Sequence, residues 1–234
     1  MKYPVAERFV APQGEGLFSG VTMAFIRLVG CSVGQKTCTA CDTDFDRMRP
    51  DLGGGIYSVE ELVQWAKETR VSHVCLTGGE PLDRDIRPLI HAMADRVGWV
   101  HVETSGTVMP SWLSRSEDPD ETYPLSILTD VDGQDEPWPT SLWLTVSPKP
   151  GYREEVIALA DEVKVIAGGL GDGPGWPDVA DALRWVEAGR LVYWQPRNDR
   201  LDINGANMAA AVAVVTTNPG LRLSCQLHKW LRTR

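Results

Sequence analysis

The sequence predicts an α/β protein with a partial or modified (β/α) barrel. Short apolar segments rich in β-branched residues alternate with amphipathic segments of helical period, which is the pattern of βα units joined into a mostly parallel sheet. Polar motifs follow most of the apolar segments directly, as ligand-binding loops do at the carboxyl edge of such a sheet. An open doubly wound sheet stays the alternative, because periodicity does not distinguish a closed sheet from an open one. We expect a single domain spanning residues 1–234.

The individual elements follow from local signals. An apolar, β-branched run at 21–29 predicts the first strand. The clearest helix is predicted at 58–70, where Ser58 and Glu61 have the spacing of a capping box and the apolar residues lie along one face. Further strands are predicted at 73–76, 99–103, 142–146, 162–166, 191–195 and 221–225, and further helices at 86–97, 177–188 and 206–217.

The charge balance is acidic and the hydrophobic content is ordinary for a globular protein. A net charge of −9 and a pI near 5.0 argue against a nucleic-acid partner. The longest apolar run, 208–215, is far shorter than the ~18 residues of a membrane span. The first residues lack the apolar core of a signal peptide. We therefore expect a cytoplasmic protein with neither a nucleic-acid nor a membrane partner.

One stretch, at about 114–140, has the composition of an insertion. It holds eight acidic residues against the single basic residue Arg115, together with several prolines. Such a segment predicts a solvated surface insertion, and a docking site for a basic partner is the alternative.

The five cysteines do not form the pattern of a disulfide framework. Cys31, Cys38 and Cys41 lie close together with the spacing C-x6-C-x2-C, whereas Cys75 and Cys225 stand apart in apolar surroundings. An odd number of cysteines without a signal peptide argues against paired disulfides. We interpret Cys75 and Cys225 as packing residues, and the cluster of three as a metal site.

Three thiolates leave a metal centre one ligand short. A structural zinc site needs four protein ligands. An iron–sulfur cluster held by three thiolates leaves one iron open to a substrate or cofactor. The spacing alone leaves a zinc site, a three-thiolate cluster and the absence of any metal all open.

The motif TGGEP, at 77–81, favours the open cluster. Gly78 and Gly79 remove side chains just after a predicted strand, so the backbone can approach a ligand closely. Glu80 adds a carboxylate suited to an ammonium group, and Pro81 stiffens the segment that follows. The three-cysteine loop after one strand and GGE after the next form a far more specific signature than either motif alone.

With these two motifs the chain resembles the radical S-adenosylmethionine (SAM) superfamily. The resemblance implies a barrel of the radical SAM type, a 4Fe–4S cluster on three cysteines, and SAM bound to the open iron through its amino and carboxylate groups. The radical chemistry then belongs to the cluster and SAM, and no separate catalytic side chain is expected.

Seven further motifs narrow the resemblance to the 7-carboxy-7-deazaguanine synthase family. They are PQGEG at 12–16, FIRLVGC at 25–31, CDT at 41–43, ETSG at 103–106, SPK at 147–149, QP at 195–196 and QLHKWL at 226–231. The family implies a SAM- and Mg²⁺-dependent lyase that converts 6-carboxy-5,6,7,8-tetrahydropterin to 7-carboxy-7-deazaguanine with loss of ammonia, in deazapurine and queuosine biosynthesis. It also implies a reductant such as flavodoxin or ferredoxin, and a homodimer.

The resemblance implies three sets of site residues. Contacts with the pterin are expected from Pro12, Gln13, Gly14, Arg27 and Thr77. The SAM site is expected to include Ala40, Cys41, Asp42, Gly79, Glu80, Ser147, Pro148, Lys149, Gln195, Pro196, Arg197 and Asn198. The metal ligands are expected to be Cys31, Cys38 and Cys41 for the cluster and Thr43 for Mg²⁺.

The chain departs from the family pattern at three places. The first cysteine gap is six residues where radical SAM enzymes most often have three. QP is followed by Arg197 and Asn198, where relatives often carry Met-Asp. The chain ends at Arg234 rather than at a proline, so no substrate role is assigned to the last residue.

Two alternative functions belong to other classes. Another small radical SAM enzyme, such as a glycyl-radical activating enzyme, would share the cysteines and GGE but would not need PQGEG, Thr43 and SPK together. A zinc-stabilised binding module would need the cysteines alone, and it would be colourless and without affinity for SAM.

Overall fold

The computed structural model describes residues 1–38, 41, 44–113, 128–129, 135–136, 141–168, 173–198 and 202–232. The predicted acidic insertion lies almost entirely outside these residues. Across the part of the chain that is described, no helix combines the length and the apolar character needed to cross a bilayer.

Nine strands form one sheet. Strand β1 (Lys2–Pro12) pairs antiparallel with both β2 (Thr22–Leu28) and β3 (Gly55–Ser58). From β2 the sheet continues in parallel through β4 (His73–Gly78), β5 (Trp99–Thr104), β8 (Leu142–Val146), β9 (Glu162–Ala167), β10 (Leu191–Pro196) and β11 (Arg222–Leu223). Two short strands, β6 (Leu128–Thr129) and β7 (Asp135–Glu136), pair with each other apart from this sheet.

The sheet is open, because its edge strands β3 and β11 do not pair with each other within the described residues. Seven parallel strands, β2 and the six that follow it in the sheet, are connected largely through helices. This arrangement confirms the predicted α/β class and is that of a partial (β/α) barrel.

Seven helices accompany the sheet in the described ranges. They are α1 (Gly34–Thr37), α2 (Val59–Thr69), α3 (Arg87–Arg96), α4 (Glu154–Leu159), α5 (Val179–Glu187), α6 (Gly205–Thr217) and α7 (Leu227–Leu231). The predicted capping box of α2 is confirmed: the Glu61 backbone N–H donates to Ser58 Oγ at 3.2 Å, and the Ser58 N–H donates to the Glu61 carboxylate at 2.7 Å. Such caps stabilise a helix by about 1 kcal/mol.

Alternation along the strands separates the packing face from the functional face. On β5, Val100 and Val102 are buried in the main core together with apolar side chains of α2 and α3. His101 and Glu103 alternate with them and therefore project to the opposite face. The same period on β4 buries Val74 and Leu76 in the main core.

The sequence prediction missed β1, the longest strand. Its sequence, KYPVAERFVAP, contains two prolines and several charged residues, which argue against a strand. In the fold, charged residues of β1 find partners on neighbouring strands, as Glu7 pairs with Arg27 on β2 at 3.0 Å. The short helices α4 and α7 were also missed, since five or six residues are too few to show a helical period.

Aromatic and histidine side chains fill the space near the amino ends of β4 and β5. The ring nitrogens His73 Nδ1 and His101 Nε2 lie 3.0 Å apart. Phe18 packs edge-on against His101, with ring centroids 4.6 Å apart, and against Trp143 at 5.0 Å. Burial, with a smaller contribution from His73, lowers the pKa of His101 to about 3, and burial also lowers the pKa of His73.

Replacing His101 by Phe should reduce the sensitivity of the fold to acid. Because the pKa of His101 is about 3 in the folded state and 6.5 ordinarily, the unfolded state binds the proton first. The contribution of His101 to the free energy of unfolding is therefore fully present above pH 6.5 and is lost as the pH drops toward 3. Between pH 7 and pH 4 the wild type should lose on the order of 3 kcal/mol more unfolding free energy than His101→Phe.

Urea denaturation at pH 7, 5.5 and 4 measures this difference. Wild type and His101→Phe are compared by the slope of their unfolding free energy against pH. A packing cost of the phenylalanine that is constant with pH does not change this slope. His91→Phe, at a half-buried position on α3, is the control and should keep the wild-type slope. Parallel curves for wild type and His101→Phe would show that His101 is not the acid-sensitive group.

Candidate functional site

A cavity of about 280 Å³ opens where the parallel strands end. Polar residues from separate chain segments line it together, among them Gln13 after β1, Thr77 on β4, Ser105 after β5, Ser147 after β8 and Gln195 on β10. The prediction that the strand-end motifs gather at one edge of the sheet is therefore confirmed. This is the position at which parallel sheets bind ligands.

All five residues predicted to contact the substrate line this cavity: Pro12, Gln13, Gly14, Arg27 and Thr77. Arg27 donates through Nε to Glu7 Oε1 at 3.0 Å, and its side chain is 18% exposed. The ion pair holds the guanidinium at the wall of the cavity instead of leaving it to extend into solvent.

Glu103 is a central acceptor that the sequence prediction overlooked. Its carboxylate accepts from Gln13 Nε2 at 3.0 Å and from Thr77 Oγ1 at 3.0 Å, and it lines the cavity. These bonds join two predicted substrate residues, one just after β1 and the other on β4. The sequence contained one signal for this role. Glu103 belongs to the motif ETSG and stands near the end of a strand, on the face opposite the apolar core residues.

A buried ion pair, Glu15 with Lys164, forms one side of the cavity. The Glu15 carboxylate also accepts from Gln195 Nε2 at 3.1 Å and from Gln226 Nε2 at 2.9 Å. Burial alone would raise the pKa of Glu15, but the adjacent ammonium lowers it to about 2. Burial would lower the pKa of Lys164, but Glu15 and Glu103 raise it well above its usual range. Lys164 was not predicted, although a lysine within the apolar strand EVKVIA indicates a buried partner.

A third carboxylate, Glu162, holds the loop that carries Glu15. It accepts from the Leu17 backbone N–H at 2.7 Å and is 3% exposed. Gly16 has φ +67°, and a Cβ there would lie 2.0 Å from Glu162 Oε1, so the turn requires glycine. Burial raises the pKa of Glu162 to about 7, even though the Leu17 N–H and Lys164 favour its charged form.

The three clustered cysteines, Cys31, Cys38 and Cys41, are half-buried and line the same cavity. Burial raises the pKa of the Cys31 thiol. A Cβ on Gly79 would lie 1.9 Å from the Gly30 carbonyl oxygen and 2.7 Å from Cys31 Cβ, so the GG turn packs directly against the start of the cysteine loop. Among the described side chains, no group of three His, Cys, Asp or Glu residues is placed to bind a single metal ion. The three cysteines do share the wall of one cavity, as a centre held by three thiolates requires.

Glu80 has a structural environment that the motif did not reveal. Its carboxylate is fully buried and accepts from Thr104 Oγ1 at 2.7 Å, from the Ser105 N–H at 2.8 Å and from the Leu82 N–H at 3.0 Å. It does not line the cavity, unlike Gly79 before it. The carboxylate therefore ties the turn after β4 to the end of β5, and its contact with a cofactor stays a prediction.

Lys149 places its ammonium group at the cavity wall. The Nζ atom donates to Ser147 Oγ at 2.8 Å and to the Ser147 carbonyl oxygen at 3.0 Å, and it lies 5.6 Å from the centroid of the Trp176 ring. Loss of solvent around the ammonium lowers the pKa of Lys149. Ser147 and Lys149 both line the cavity, as predicted for a ligand site.

The remaining predicted site residues divide into three groups. Cys41, Gly79 and Gln195 line the cavity, whereas Pro148, Pro196, Arg197 and Asn198 do not. Asn198 is buried and donates to Gln226 Oε1 at 3.1 Å. Three predicted residues lie outside the described part of the chain: Ala40, Asp42 and Thr43.

The C-terminal helix closes the cavity beside Gly14. The Leu227 N–H donates to the Gly14 carbonyl oxygen at 2.8 Å, and Gln226 and His228 line the cavity. A Cβ on Gly14 would lie 2.3 Å from His228 Nδ1, so glycine permits this close approach. His228 was not among the predicted site residues, although the motif QLHKWL contains it.

Comparisons with known proteins agree on one family. A 7-carboxy-7-deazaguanine synthase from Synechocystis sp. is 32% identical over all of this chain and 95% of the relative. One from Bradyrhizobium diazoefficiens is 32% identical over the full length of both chains. The crystal structure of QueE from Escherichia coli matches with a TM-score of 0.68 and 26% identity, covering 97% of this chain and 95% of that one. No family model matches the chain.

Replacing Glu162 by Gln should make the free energy of unfolding decrease less as the pH rises toward and beyond 7. The pKa of Glu162 is about 7 in the folded state and 4.5 ordinarily, so the folded state keeps the proton that the unfolded state releases. The contribution of protonated Glu162 to the free energy of unfolding is fully present below pH 4.5 and is lost as the pH rises to 7. The amide can still accept from the Leu17 N–H, so Glu162→Gln should retain about 2–3 kcal/mol that the wild type loses between pH 5 and pH 8.

Thermal or urea unfolding across that range measures the difference. Glu155→Gln, at an exposed position on α4, removes the same charge away from the cavity and should follow the wild-type profile. An identical pH profile for Glu162→Gln and wild type would mean that Glu162 is ionised in the folded protein at pH 5.

Proposed function

Because the chain belongs to the 7-carboxy-7-deazaguanine synthase family, we propose that it is the radical SAM lyase of that name. The reaction proposed is conversion of 6-carboxy-5,6,7,8-tetrahydropterin to 7-carboxy-7-deazaguanine with loss of ammonia, in deazapurine and queuosine biosynthesis. One observation carries the proposal: a single cavity is lined both by three clustered cysteines and by the polar set of Gln13, Arg27 and Glu103. The first group suits a metal cofactor, and the second suits a small heterocyclic acid.

Cys31, Cys38 and Cys41 would hold the 4Fe–4S cluster, with SAM in its remaining position. When bound, the cluster and SAM supply the radical that removes a hydrogen atom from the substrate. Gly79 lines the cavity next to Cys31 and would present its backbone to the cofactor there. The ammonium of Lys149 is suited to an anionic group of the cofactor, such as a carboxylate.

The polar set would recognise the pterin by its edges. A pterin carries an amino group and ring N–H donors on one edge, and the Glu103 carboxylate is an acceptor that suits them. The Arg27 guanidinium suits the substrate carboxylate. Phe9 and Phe25 line the cavity with stacked rings whose centroids are 5.0 Å apart, and they offer an apolar wall to a flat ring system.

The protein's own contribution is orientation and exclusion of water. Gln13, Glu15, Lys164 and Gln195 are all held by hydrogen bonds or an ion pair around the cavity, so their positions are fixed before a ligand binds. A preorganised polar wall costs little rearrangement during the reaction.

Thr43 would place its hydroxyl on Mg²⁺, with Ala40 and Asp42 beside SAM, and Pro148, Pro196, Arg197 and Asn198 would contribute mainly through backbone atoms. The enzyme would act in the cytoplasm as a homodimer of single-domain subunits spanning 1–234. A reductant such as flavodoxin or ferredoxin would supply the electron.

Anaerobic reconstitution with iron and sulfide tests the proposed function. The expected protein is brown, with broad charge-transfer absorption, and releases 7-carboxy-7-deazaguanine from 6-carboxytetrahydropterin with SAM, Mg²⁺ and a reductant. A colourless protein containing one zinc and no affinity for SAM would identify the binding module instead. A cluster without turnover of the pterin would point to another radical SAM activity.

Replacing Cys38 by Ala should abolish cluster absorption and turnover while the fold remains. A single thiolate is one of only three protein ligands to the proposed cluster, whereas the fold depends on the sheet and its helices. Circular dichroism and iron content measure the two properties separately. Cys225→Ala, which removes a cysteine that does not line the cavity, is the matched control. Full turnover by Cys38→Ala would remove Cys38 from the site.

Replacing Glu103 by Gln should weaken substrate use without affecting the cluster. Loss of one charged acceptor costs about 1.5–3 kcal/mol, which corresponds to about 10- to 150-fold in kcat/KM. The absorption spectrum of the reconstituted cluster should not change. Glu68→Gln on the exposed face of α2 controls for the loss of charge. Wild-type kcat/KM in Glu103→Gln would show that the carboxylate does not recognise the substrate.

A further inference from the structure

The segment after TGGE makes a contact that none of the predicted site residues accounts for. Asp83 ends the short 3₁₀ turn Pro81–Asp83, and its Oδ2 atom accepts from the Ser32 backbone N–H at 2.7 Å. Ser32 directly follows Cys31, the first of the three clustered cysteines. The Asp83 side chain thus fixes the backbone at one end of the loop that carries the proposed cluster ligands.

The same segment holds the cysteine loop at two more points. The Glu80 N–H donates to the Gly30 carbonyl oxygen at 3.0 Å, and Arg84 Nη2 donates to the Val29 carbonyl oxygen. Together the three bonds tie residues 29–32 to residues 80–84. The first cysteine is therefore positioned by the turn after β4, and not only by the strand that precedes it.

The anchor matters because the loop is long. Six residues separate Cys31 from Cys38, and α1 within them spans only four residues. A helix of that length contributes little stability of its own. Bonds from outside the loop reduce the number of conformations in which Cys31 points away from the other two thiols.

The carboxylate of Asp83 also contributes negative charge beside Cys31. Its Oδ2 atom lies 2.7 Å from the backbone nitrogen of Ser32, the residue that directly follows Cys31. Negative charge close to a cluster ligand disfavours the added electron of a reduced cluster, and nearby charge is one determinant of cluster potential. Because Asp83 is exposed, salt screens this effect and it is largest at low ionic strength.

We propose that Asp83 is a positioning residue for the metal centre, which fixes Cys31 through the Ser32 N–H and lowers the reduction potential of the bound cluster. This inference rests on the proposed function, because only a cluster-containing protein has such a potential. The two roles of Asp83 are separable, since an amide keeps the acceptor oxygen and loses the charge.

Three variants of the full chain separate the two roles. Asp83→Asn keeps an acceptor for Ser32 and removes the charge, and Asp83→Ala removes both. Asp95→Asn removes an exposed carboxylate near the C-terminal end of α3, toward the amino ends of the strands, and is the control for net charge. After anaerobic reconstitution, the midpoint potential is measured by a redox titration followed by electron paramagnetic resonance, at low and at high salt. The rate of iron loss to a chelator measures how firmly the cluster is held.

Both Asp83 variants should have a more positive midpoint potential than the wild type, and this difference should become smaller at high salt. Asp95→Asn should keep the wild-type potential. Iron loss should be several-fold faster in Asp83→Ala and near the wild-type rate in Asp83→Asn. A potential in Asp83→Asn equal to that of Asp95→Asn would overturn the electrostatic role, and wild-type iron loss in Asp83→Ala would overturn the positioning role. A wild-type protein that takes up no cluster would instead overturn the proposed function itself.

Discussion

The buried ion pair between Glu15 and Lys164 is the interaction on which the site depends. It connects the loop after β1 to the middle of β9, across a sequence separation of 149 residues. Through Gln195 and Gln226 the same carboxylate reaches β10 and the segment before α7. Removal of one partner would leave a buried charge without its counter-ion, which costs about 3–5 kcal/mol. One side of the cavity is thus built around a single carboxylate that four chain segments share.

Three carboxylates lie around Lys164, and burial makes one of them, Glu162, bind a proton easily. Glu15, Glu103 and Glu162 all contribute to the potential at this one ammonium. Glu15 is in direct contact and stays ionised, whereas burial raises the pKa of Glu162 to about 7. Glu103 points toward the cavity and accepts from neutral donors, Gln13 and Thr77. The result is an acceptor-rich wall beside a fixed cation, which suits a ligand with N–H donors on one edge.

The sequence was informative where a single segment determines its own structure. The capping box of α2, the strand at 142–146 and the gathering of the strand-end motifs all follow from local patterns, and they were predicted correctly. Strand β1 was missed because its prolines and charges argue locally against a strand, and the pairing with β2 and β3 overrides them. Glu103 and Lys164 were missed as site residues for a related reason. Their roles come from partners on other strands, which no local spacing reveals.

The turn after β4 shows how one short motif combines structural and functional constraints. Gly79 must be glycine because a Cβ would meet the Gly30 carbonyl oxygen at 1.9 Å. The Glu80 carboxylate is used to hold β5 through Thr104 and Ser105. The same turn therefore sets the distance between the cysteine loop and the neighbouring strand, whatever ligand binds between them. Since the start of the loop is held from outside, the number of residues between Cys31 and Cys38 can vary without moving Cys31. A six-residue gap in place of the usual three is then compatible with the same metal centre.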